Sequence, residues 1–196
     1  IHYQNYSSKL FFELLNEPTN NLNNSLWNNY LKEAIDKIRE SNPNRTLIVG
    51  PTNWNNLDQL NNLEIPENDS NIMVTFHYYS PFKFTHQGAE WVEGSFDWLG
   101  TTWQGTQEEK NAIDSDFDQA KTWAENHNVT LFLGEFGAYE KADMESRERW
   151  TTYIRKAAEL RGIHWCYWEF AAGFGVYNQI NKEYHQPLLR ALLPES

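Results

Sequence analysis

Two glutamates lie at equivalent places in the sequence, each at the end of an apolar run. Glu17 closes LFFELLNEP at 10–18, and Glu135 lies within LFLGEFGAY at 131–139. Two carboxyl groups on one rim suit glycoside hydrolysis, in which one protonates the leaving oxygen while the other attacks the anomeric carbon or activates water. The first must stay protonated near neutrality and the second ionised, so their surroundings must differ. A single glutamate after a strand can have a structural role, because its charge is favourable near the positive end of the next helix. The prediction of a hydrolase site therefore depends on the presence of both glutamates.

Further polar side chains follow other apolar runs. His77 and Tyr79 lie in VTFHYYSPF, and Trp168 and Glu169 lie in CYWEFAAGFGVYN. Residues two apart on a strand face the same side, so Tyr79 can donate a hydrogen bond to the attacking carboxylate and help to keep it ionised. A lone histidine is more often a core residue than a catalytic one. The interpretation of His77 as a site residue therefore depends on the other polar residues near it.

The tryptophans fall into two groups. Trp27, Trp123 and Trp150 lie on helical stripes and are predicted to pack in the core. The others lie at strand ends or in the long segment 80–105, namely Trp54, Trp91, Trp98, Trp103 and Trp168. A segment of that length in a compact domain is usually functional. Flat aromatic faces beside hydrogen-bonding groups suit a pyranose ring, which is apolar on its faces and carries hydroxyl groups at its edge.

The elements that must position these side chains follow from hydrophobic patterning. Five apolar runs alternate with amphipathic segments, which predicts strand–helix units around a parallel sheet. The predicted strands are 10–15, 46–49, 72–76, 130–133 and 163–167, and their continuous apolar character is typical of strands buried on both faces. Three segments carry apolar residues at helical spacing, which predicts that these residues face the core. The segments are 27–38, in which Tyr30 is one of the residues predicted as core, 113–124 and 150–157. In a closed β/α barrel the carboxyl ends of the strands meet on one rim, which predicts a single site.

Composition narrows the class of protein. The 196 residues are 40% hydrophobic and 15% aromatic, which predicts one domain over 1–196. Sixteen basic and 27 acidic side chains give a net charge of -11, which argues against nucleic acid and anionic membrane as partners. No apolar run approaches the ~20 residues that span a bilayer. The chain begins at Ile1 and His2 without an initiator methionine, so we expect a processed or truncated product.

Four motifs in order, LFFELLNEP, VTFHYYSPF, LFLGEFGAY and CYWEFAAGFGVYN, resemble glycoside hydrolase family five, and the resemblance covers the chain from end to end. It implies an α/β fold of the (β/α)8 TIM-barrel type, with strands four to eight represented here. It also implies a secreted, extracellular, retaining endo-β-1,4-glucanase that acts on a β-glucan polysaccharide. No metal or organic cofactor is required.

The resemblance also implies a role for each matching position. Glu17 matches the general acid/base, with Asn16 beside it bonding the sugar 2-hydroxyl, and Glu135 matches the nucleophile. His77 and Tyr79 match a His-x-Tyr pair near the nucleophile, and Trp168 matches the platform beneath the sugar being cleaved. The remaining matches are to substrate-contacting positions, namely His86, Trp91 and Glu169.

Other functions compete with this one. If LFFELLNEP is the family's fourth strand, strands one to three are missing, which leaves two open sheet edges and an uncovered apolar interior. We therefore expect the chain to pair with a complementing fragment or another copy, or to be part of a longer protein. A non-catalytic glycan-binding or assembly fragment and an endo-β-1,4-mannanase stay open. An aldolase would need a strand-end lysine or a phosphate-binding glycine loop, and neither is present where it should be.

Overall fold

The computed structural model describes residues 2–193, so Ile1 and residues 194–196 of the predicted domain lie outside it. Five strands form one sheet in the order β1-β2-β3-β4-β5. They are β1 (Phe12–Glu13), β2 (Leu47–Val49), β3 (Ile72–Tyr78), β4 (Thr130–Phe136) and β5 (His164–Trp165). The β1–β2 and β2–β3 pairs are parallel, with Phe12 opposite Leu47 and Leu47 opposite Ile72. The alternation of short apolar runs with helical segments therefore predicted the sheet correctly.

Helices occupy the amphipathic segments between the strands. They are α1 (Asn24–Arg39), α2 (Thr52–Asn55), α3 (Phe82–Thr85), α4 (Gln107–His127), α5 (Met144–Leu160) and α6 (Gln186–Leu192), with 3-10 turns at Leu57–Asn62 and Ser95–Trp98. The short α2 is a turn rather than a regular helix, because residues 53–55 have left-handed backbone. Asn23 caps α1 by accepting a hydrogen bond from the Leu26 amide at 2.9 Å, and Asp143 caps α5 in the same way. Among residues 2–193, no helix combines the length and apolar character needed to cross a membrane.

One compact unit comprises Ile1–His77 and Gln119–Phe132. Its core is made of buried apolar side chains from α1, from the first three strands and from the end of α4, namely Trp27, Leu31, Ile35, Leu47, Val49, Leu57, Leu60, Ile72, Val74, Phe76, Trp123 and Leu131. The buried Arg45 donates hydrogen bonds to the carbonyls of Tyr6 (3.0 Å) and Leu10 (2.8 Å). This arginine holds the N-terminal segment beside the start of β2.

The second compact unit comprises Tyr78–Asp118 and Leu133–Ser196. Its buried apolar residues include Tyr78, Phe84, Trp103, Ile113, Phe117, Leu133, Phe136, Tyr139, Trp150, Ile154, Phe174 and Leu188. Trp150 of α5 donates its indole hydrogen to the Ser80 carbonyl at 3.0 Å. The segment 80–105 is thus held against α5 and contains short helices.

Two expectations about these elements were wrong, and one element was missed. The outer strands β1 and β5 are not buried on both faces, because each is only two residues long and has one exposed and one half-buried residue. Tyr30 is exposed, because it lies about 100° around α1 from Leu31, which faces the core. A hairpin of β6 (Tyr177–Asn178) and β7 (Glu183–Tyr184) was not predicted, because its short strands lack an apolar run.

Candidate active site

Glu17 lies on an irregular stretch of backbone beyond β1. Its φ of 50° is in the left-handed region, which is uncommon and costly for a residue with a Cβ. The following Pro18 is buried, and its carbonyl accepts a hydrogen bond from the Trp54 amide at 3.4 Å. Trp54 itself has a φ of 62°, as one of three consecutive left-handed residues at 53–55. Two strained segments therefore support one another at this strand end.

A chain of hydrogen bonds leads inward from Glu17. Its Oε1 lies 2.8 Å from Nδ1 of His77, and Nε2 of His77 lies 3.2 Å from Nδ2 of Asn55. An amide nitrogen can only donate, so Nε2 accepts and the imidazole hydrogen is on Nδ1, directed at Glu17. Asn55 is fully buried beside Gly50, where a Cβ would lie 2.2 Å from the Asn55 Oδ1. Gly50 is therefore required for the position of Asn55.

Glu135 lies on regular backbone near the end of β4. The Tyr79 hydroxyl, one residue beyond β3, donates to Oε2 of Glu135 at 2.8 Å. This is the contact that the sequence predicted for Tyr79. A phenol that donates to a carboxylate favours its ionised form.

His86 is buried against Tyr79 and Phe82. The rings of His86 and Phe82 stack with their centres 4.1 Å apart, and the ring of Tyr79 meets His86 edge-on at 5.0 Å. The Thr85 hydroxyl lies 3.0 Å from Nδ1 of His86 and donates to the Tyr79 carbonyl at 2.6 Å. Burial lowers the pKa of His86 to about 4. His86 is therefore neutral near neutrality, and its Nε2 can accept a hydrogen bond, for example from a sugar hydroxyl.

The remaining predicted residues present more open surfaces. Trp91 is 61% exposed and Trp168 is 43% exposed. Trp91 meets the ring of Tyr139 edge-on at 5.0 Å, which fixes one side of the indole. The Trp168 carbonyl lies against Gly137, where a Cβ would be 2.1 Å from that oxygen. A glycine is therefore required two residues after Glu135.

Asn16 and Glu169 complete the predicted set. Asn16 is exposed beside Glu17, and Glu169 is half-buried. The Glu169 carbonyl accepts a hydrogen bond from the Val176 amide at 3.2 Å, which ties this residue to the loop before the β6–β7 hairpin. A cis peptide bond joins Trp168 to Glu169.

Comparison with known proteins identifies the family of this chain. The family model for cellulase (glycosyl hydrolase family 5) matches residues 1–173. The chain belongs to glycosyl hydrolase family 5. The resemblance carried by the four motifs is thereby confirmed.

Several relatives of this family-5 chain are known. Endoglucanase H of Acetivibrio thermocellus is 34% identical over 97% of the chain, and the match covers 20% of that protein. The clostridial cellulose synthase subunit Z of Clostridioides difficile matches in structure with a TM-score of 0.94 and 47% identity, over 98% of the chain and 64% of that protein. Thermotoga maritima Cel5A, solved with cellobiose and with mannotriose, matches with a TM-score of 0.95 and 43% identity, over 97% of the chain and 62% of that protein.

These matches confirm the predicted α/β fold of the TIM-barrel type, of which the chain carries five parallel strands. The chain spans less than two thirds of the length of each of these relatives.

One of the predicted rim tryptophans of this family-5 chain lies in the core. Trp103 is 2% exposed, and its carbonyl accepts hydrogen bonds from Arg149 of α5. Its aromatic ring is therefore a core element, because the end of the 80–105 segment folds back against α5. Trp98 is half-buried and meets Phe82 edge-on with ring centres 6.0 Å apart.

Three residues at these strand ends were missed in the sequence. Asn55 orients His77, Thr85 holds His86, and Phe174 packs against Tyr79. A left-handed run such as 53–55 favours asparagine, so the sequence NWNN at 53–56 contained a usable signal. Thr85 ends the four-residue helix α3 and Phe174 lies in a loop, and neither segment is long enough or regular enough for periodicity to indicate which way a side chain points.

Proposed function

We propose that this family-5 chain carries the catalytic pair of a retaining endo-β-1,4-glucanase, within one catalytic-domain portion over 1–196. The observation that supports it best is the pairing of each glutamate with a different hydrogen-bonding partner. Glu17 accepts from an imidazole, and Glu135 accepts from a phenol. Two carboxyl groups need different surroundings if one is to act as acid and the other as nucleophile.

In the first step, a carboxylate oxygen of Glu135 attacks the anomeric carbon of the sugar. The bond from that carbon to the leaving oxygen breaks, and the proton of Glu17 passes to the leaving oxygen. The products are a shortened glucan and a glycosyl ester of Glu135. Tyr79 stabilises Glu135 as the attacking carboxylate by donating to Oε2.

In the second step, Glu17 is ionised and acts as a base. It takes a proton from water while the water oxygen bonds to the anomeric carbon and the ester bond to Glu135 breaks. Both carboxyl groups then return to their starting forms, and the configuration of the anomeric carbon is retained. This mechanism requires carboxyl groups roughly 5 to 5.5 Å apart, whereas inversion requires ~6.5 to 9.5 Å.

The sugar chain would be bound by aromatic faces and polar groups at the strand ends. Trp168 offers an exposed indole for the sugar being cleaved, and Trp91 offers another on the 80–105 segment. Asn16, His86 and Glu169 would bond hydroxyl groups. Because a polymeric β-glucan cannot enter a cell, we propose that the enzyme is secreted and acts outside it.

A mannan is a second candidate substrate for the same site. Thermotoga maritima Cel5A, 43% identical to the chain, has been solved with mannotriose as well as with cellobiose. We therefore propose β-1,4-mannan hydrolysis as an accompanying activity. Comparing release from soluble mannan and from carboxymethylcellulose measures the preference.

A second candidate function is glycan binding without hydrolysis. It is favoured by exposed aromatic side chains at the β1 end, namely Tyr3, Tyr6 and Phe11. Such surfaces favour association, either with a complementing fragment or with a second copy. Light scattering over a concentration series tests this association directly.

The deciding experiment measures reducing-sugar release from carboxymethylcellulose by the chain and its glutamine variants. Glu17→Gln and Glu135→Gln test the proposed pair, while Glu13→Gln and Glu140→Gln are matched controls on exposed glutamates nearby. Loss of sugar release in Glu17→Gln and Glu135→Gln, with release unchanged in the two control variants, supports the proposal. If proton NMR shows the β-anomer as the first product, the reaction retains configuration. Cellotetraose binding without release supports the binding fragment, and release that survives in Glu135→Gln overturns the proposed roles.

A further inference from the structure

Phe174 lies at the centre of an aromatic wall formed by Tyr79, His86, Trp91 and Tyr139. Its ring is buried, and it contacts all four, with ring centres 5.9, 5.4, 6.3 and 5.4 Å away in that order. Two of these four residues, His86 and Trp91, are predicted to contact sugar, and Tyr79 donates to Glu135. A shift of the Phe174 ring would therefore disturb several contacts of the proposed site at once.

The backbone of Phe174 is held by two donors to a single carbonyl oxygen. The Tyr167 hydroxyl donates to the Phe174 carbonyl at 2.8 Å, and Nη2 of Arg147 donates to it at 3.2 Å. The preceding Gly173 lies flat against the ring of Tyr139, where a Cβ would be 2.3 Å away. The loop is thus fixed at adjacent residues, while its aromatic side chain completes the wall.

Arg147 is an unusual donor for this purpose. Its side chain lies on α5, the residue is 3% exposed, and no carboxylate within residues 2–193 forms an ion pair with it. Burial lowers the pKa of Arg147, and interactions with Tyr167 and Glu140 oppose that shift in part. The Nε of Arg147 is buried without a hydrogen-bond partner. Burying a guanidinium is costly, and the contacts that offset this cost include those to the Phe174 carbonyl and to Tyr167.

We infer that Arg147 is a positioning residue for the sugar-binding wall, acting through the Phe174 carbonyl on the rings of His86 and Trp91. The link between Arg147 and sugar binding rests on the proposed function. The effect of Arg147 on the positions of the rings rests only on the contacts described above. Tyr167 shares the role, because its hydroxyl donates to the same oxygen.

The same helix provides a matched control. Arg155 of α5 is 5% exposed and also donates to a backbone carbonyl, that of Ala191 in α6, at 2.7 Å. It pairs with Glu159 in addition. Arg147 and Arg155 are thus two buried arginines with similar local roles, of which only one holds the wall. Arg147→Lys and Arg155→Lys remove the same planar group from each.

The experiment uses the chain labelled with 5-fluorotryptophan, with the Trp91 resonance assigned by its loss in Trp91→Phe. We expect the fluorine resonance of Trp91 to shift or broaden in Arg147→Lys and to keep its wild-type position in Arg155→Lys. In a Glu135→Gln background, which prevents turnover, we expect Arg147→Lys to weaken cellotetraose binding roughly three- to tenfold relative to Arg155→Lys. Tyr167→Phe, which deletes one hydroxyl, should move the same resonance to a smaller extent.

Each outcome decides the inference. A Trp91 resonance that stays unchanged in both Arg147→Lys and Tyr167→Phe overturns it, even if the melting temperature falls. If Arg147→Lys does not fold, the Trp91 resonance of Tyr167→Phe decides in its place. If the wild-type chain binds no cellotetraose, the proposed function loses its support, whereas the Trp91 resonance still decides for or against Arg147.

Discussion

Glu17 and Glu135 are presented by two different kinds of backbone. Glu17 lies on a left-handed residue beyond a two-residue strand, and its partner is an imidazole held by a buried amide. Glu135 lies on regular backbone near the end of a seven-residue strand, and its partner is a phenol. The same side chain is thus placed by local strain in one region and by sheet pairing in the other.

The difference between the partners suggests how one residue type can take two roles. The Asn55 amide nitrogen faces Nε2 of His77, so this imidazole is held as a nitrogen donor to Glu17. A phenol near neutrality has one hydrogen to donate, so Tyr79 favours the ionised form of Glu135. Under the proposed function, the acid/base has an imidazole partner that depends on a buried amide, and the nucleophile has a phenolic partner.

The largest expected effect in this comparison concerns the leaving group of the substrate. On a glucan, we expect Glu135→Ala to reduce activity to the limit of detection and Glu17→Ala to reduce it by about 10²- to 10⁴-fold. On an aryl cellobioside with an acidic phenol, glycosylation needs no proton, so Glu17→Ala should show a burst of phenol and Glu135→Ala should show none. Stopped-flow absorbance measures the burst, and a burst from Glu135→Ala would reverse the two roles.

Two histidines extend the comparison to stability. His77 is paired with a carboxylate, whereas His86 is buried among aromatic rings, and burial lowers the pKa of His86 to about 4. The unfolded chain takes up a proton below about 6.5, but the folded chain does so only near 4. His86 therefore contributes its full stability above about pH 6.5, and that contribution falls as the pH drops from 6.5 to 4. The total loss is on the order of 3 kcal/mol.

Urea unfolding at pH 7, 5.5 and 4 checks this value. We expect the unfolding free energy of the wild type to fall relative to His86→Asn by that amount between pH 7 and 4. His164→Asn, at an exposed position on β5, is the control. Parallel curves for the wild type and His86→Asn would contradict a buried, neutral His86.

The tyrosine beside Glu135 gives the next effect in size. Tyr79→Phe removes a hydrogen bond to a charged group, for which about 1.5 to 3 kcal/mol is typical, so we expect kcat/KM to fall roughly 10- to 100-fold. Tyr78→Phe is a close control, because the Tyr78 hydroxyl donates to the Asp116 carboxylate at 2.7 Å. Equal losses in both variants would mean that Tyr79 serves folding rather than the ionised state of Glu135.

Regular elements were the part of the molecule that the sequence predicted well. The apolar runs at 46–49 and 72–76 are buried strands, and the stripe of Ile113, Phe117, Ala120 and Ala124 is core. Periodicity succeeds there because burial of one face or both is the dominant free-energy term in such segments. The Tyr79–Glu135 contact was also predictable, since Tyr79 follows β3 and Glu135 lies near the end of β4, and the apolar pattern of both strands was clear.

Irregular segments were predicted less well, for physical reasons. Trp103 and Trp91 lie in the same long segment, but one is buried and the other is 61% exposed, because Trp103 contacts Arg149 and Tyr153 of α5 whereas Trp91 meets Tyr139 with one edge. The left-handed residues at 53–55 place Asn55 beside His77, and this path depends on nearby Gly50 and on a hydrogen bond to the distant Pro18. The asparagines of NWNN indicate the left-handed backbone, but no local pattern in the sequence encodes the contact with Pro18.

The smallest predicted effect concerns the amide that orients His77. Asn55→Asp would place a carboxylate against Nε2, and a carboxylate accepts a hydrogen where the amide donates one. The hydrogen of His77 would then be drawn to Nε2, so that Nδ1 no longer donates to Glu17. We therefore expect kcat/KM on carboxymethylcellulose to fall roughly two- to tenfold, the range for one lost hydrogen bond. Asn56→Asp is the matched control, because it adds the same charge one residue away, where the Asn56 side chain caps the next turn. An equal loss in both variants would reflect the added charge alone, whereas a loss confined to Asn55→Asp would establish that the buried partner of His77, and not the net charge of the region, maintains the contact with Glu17.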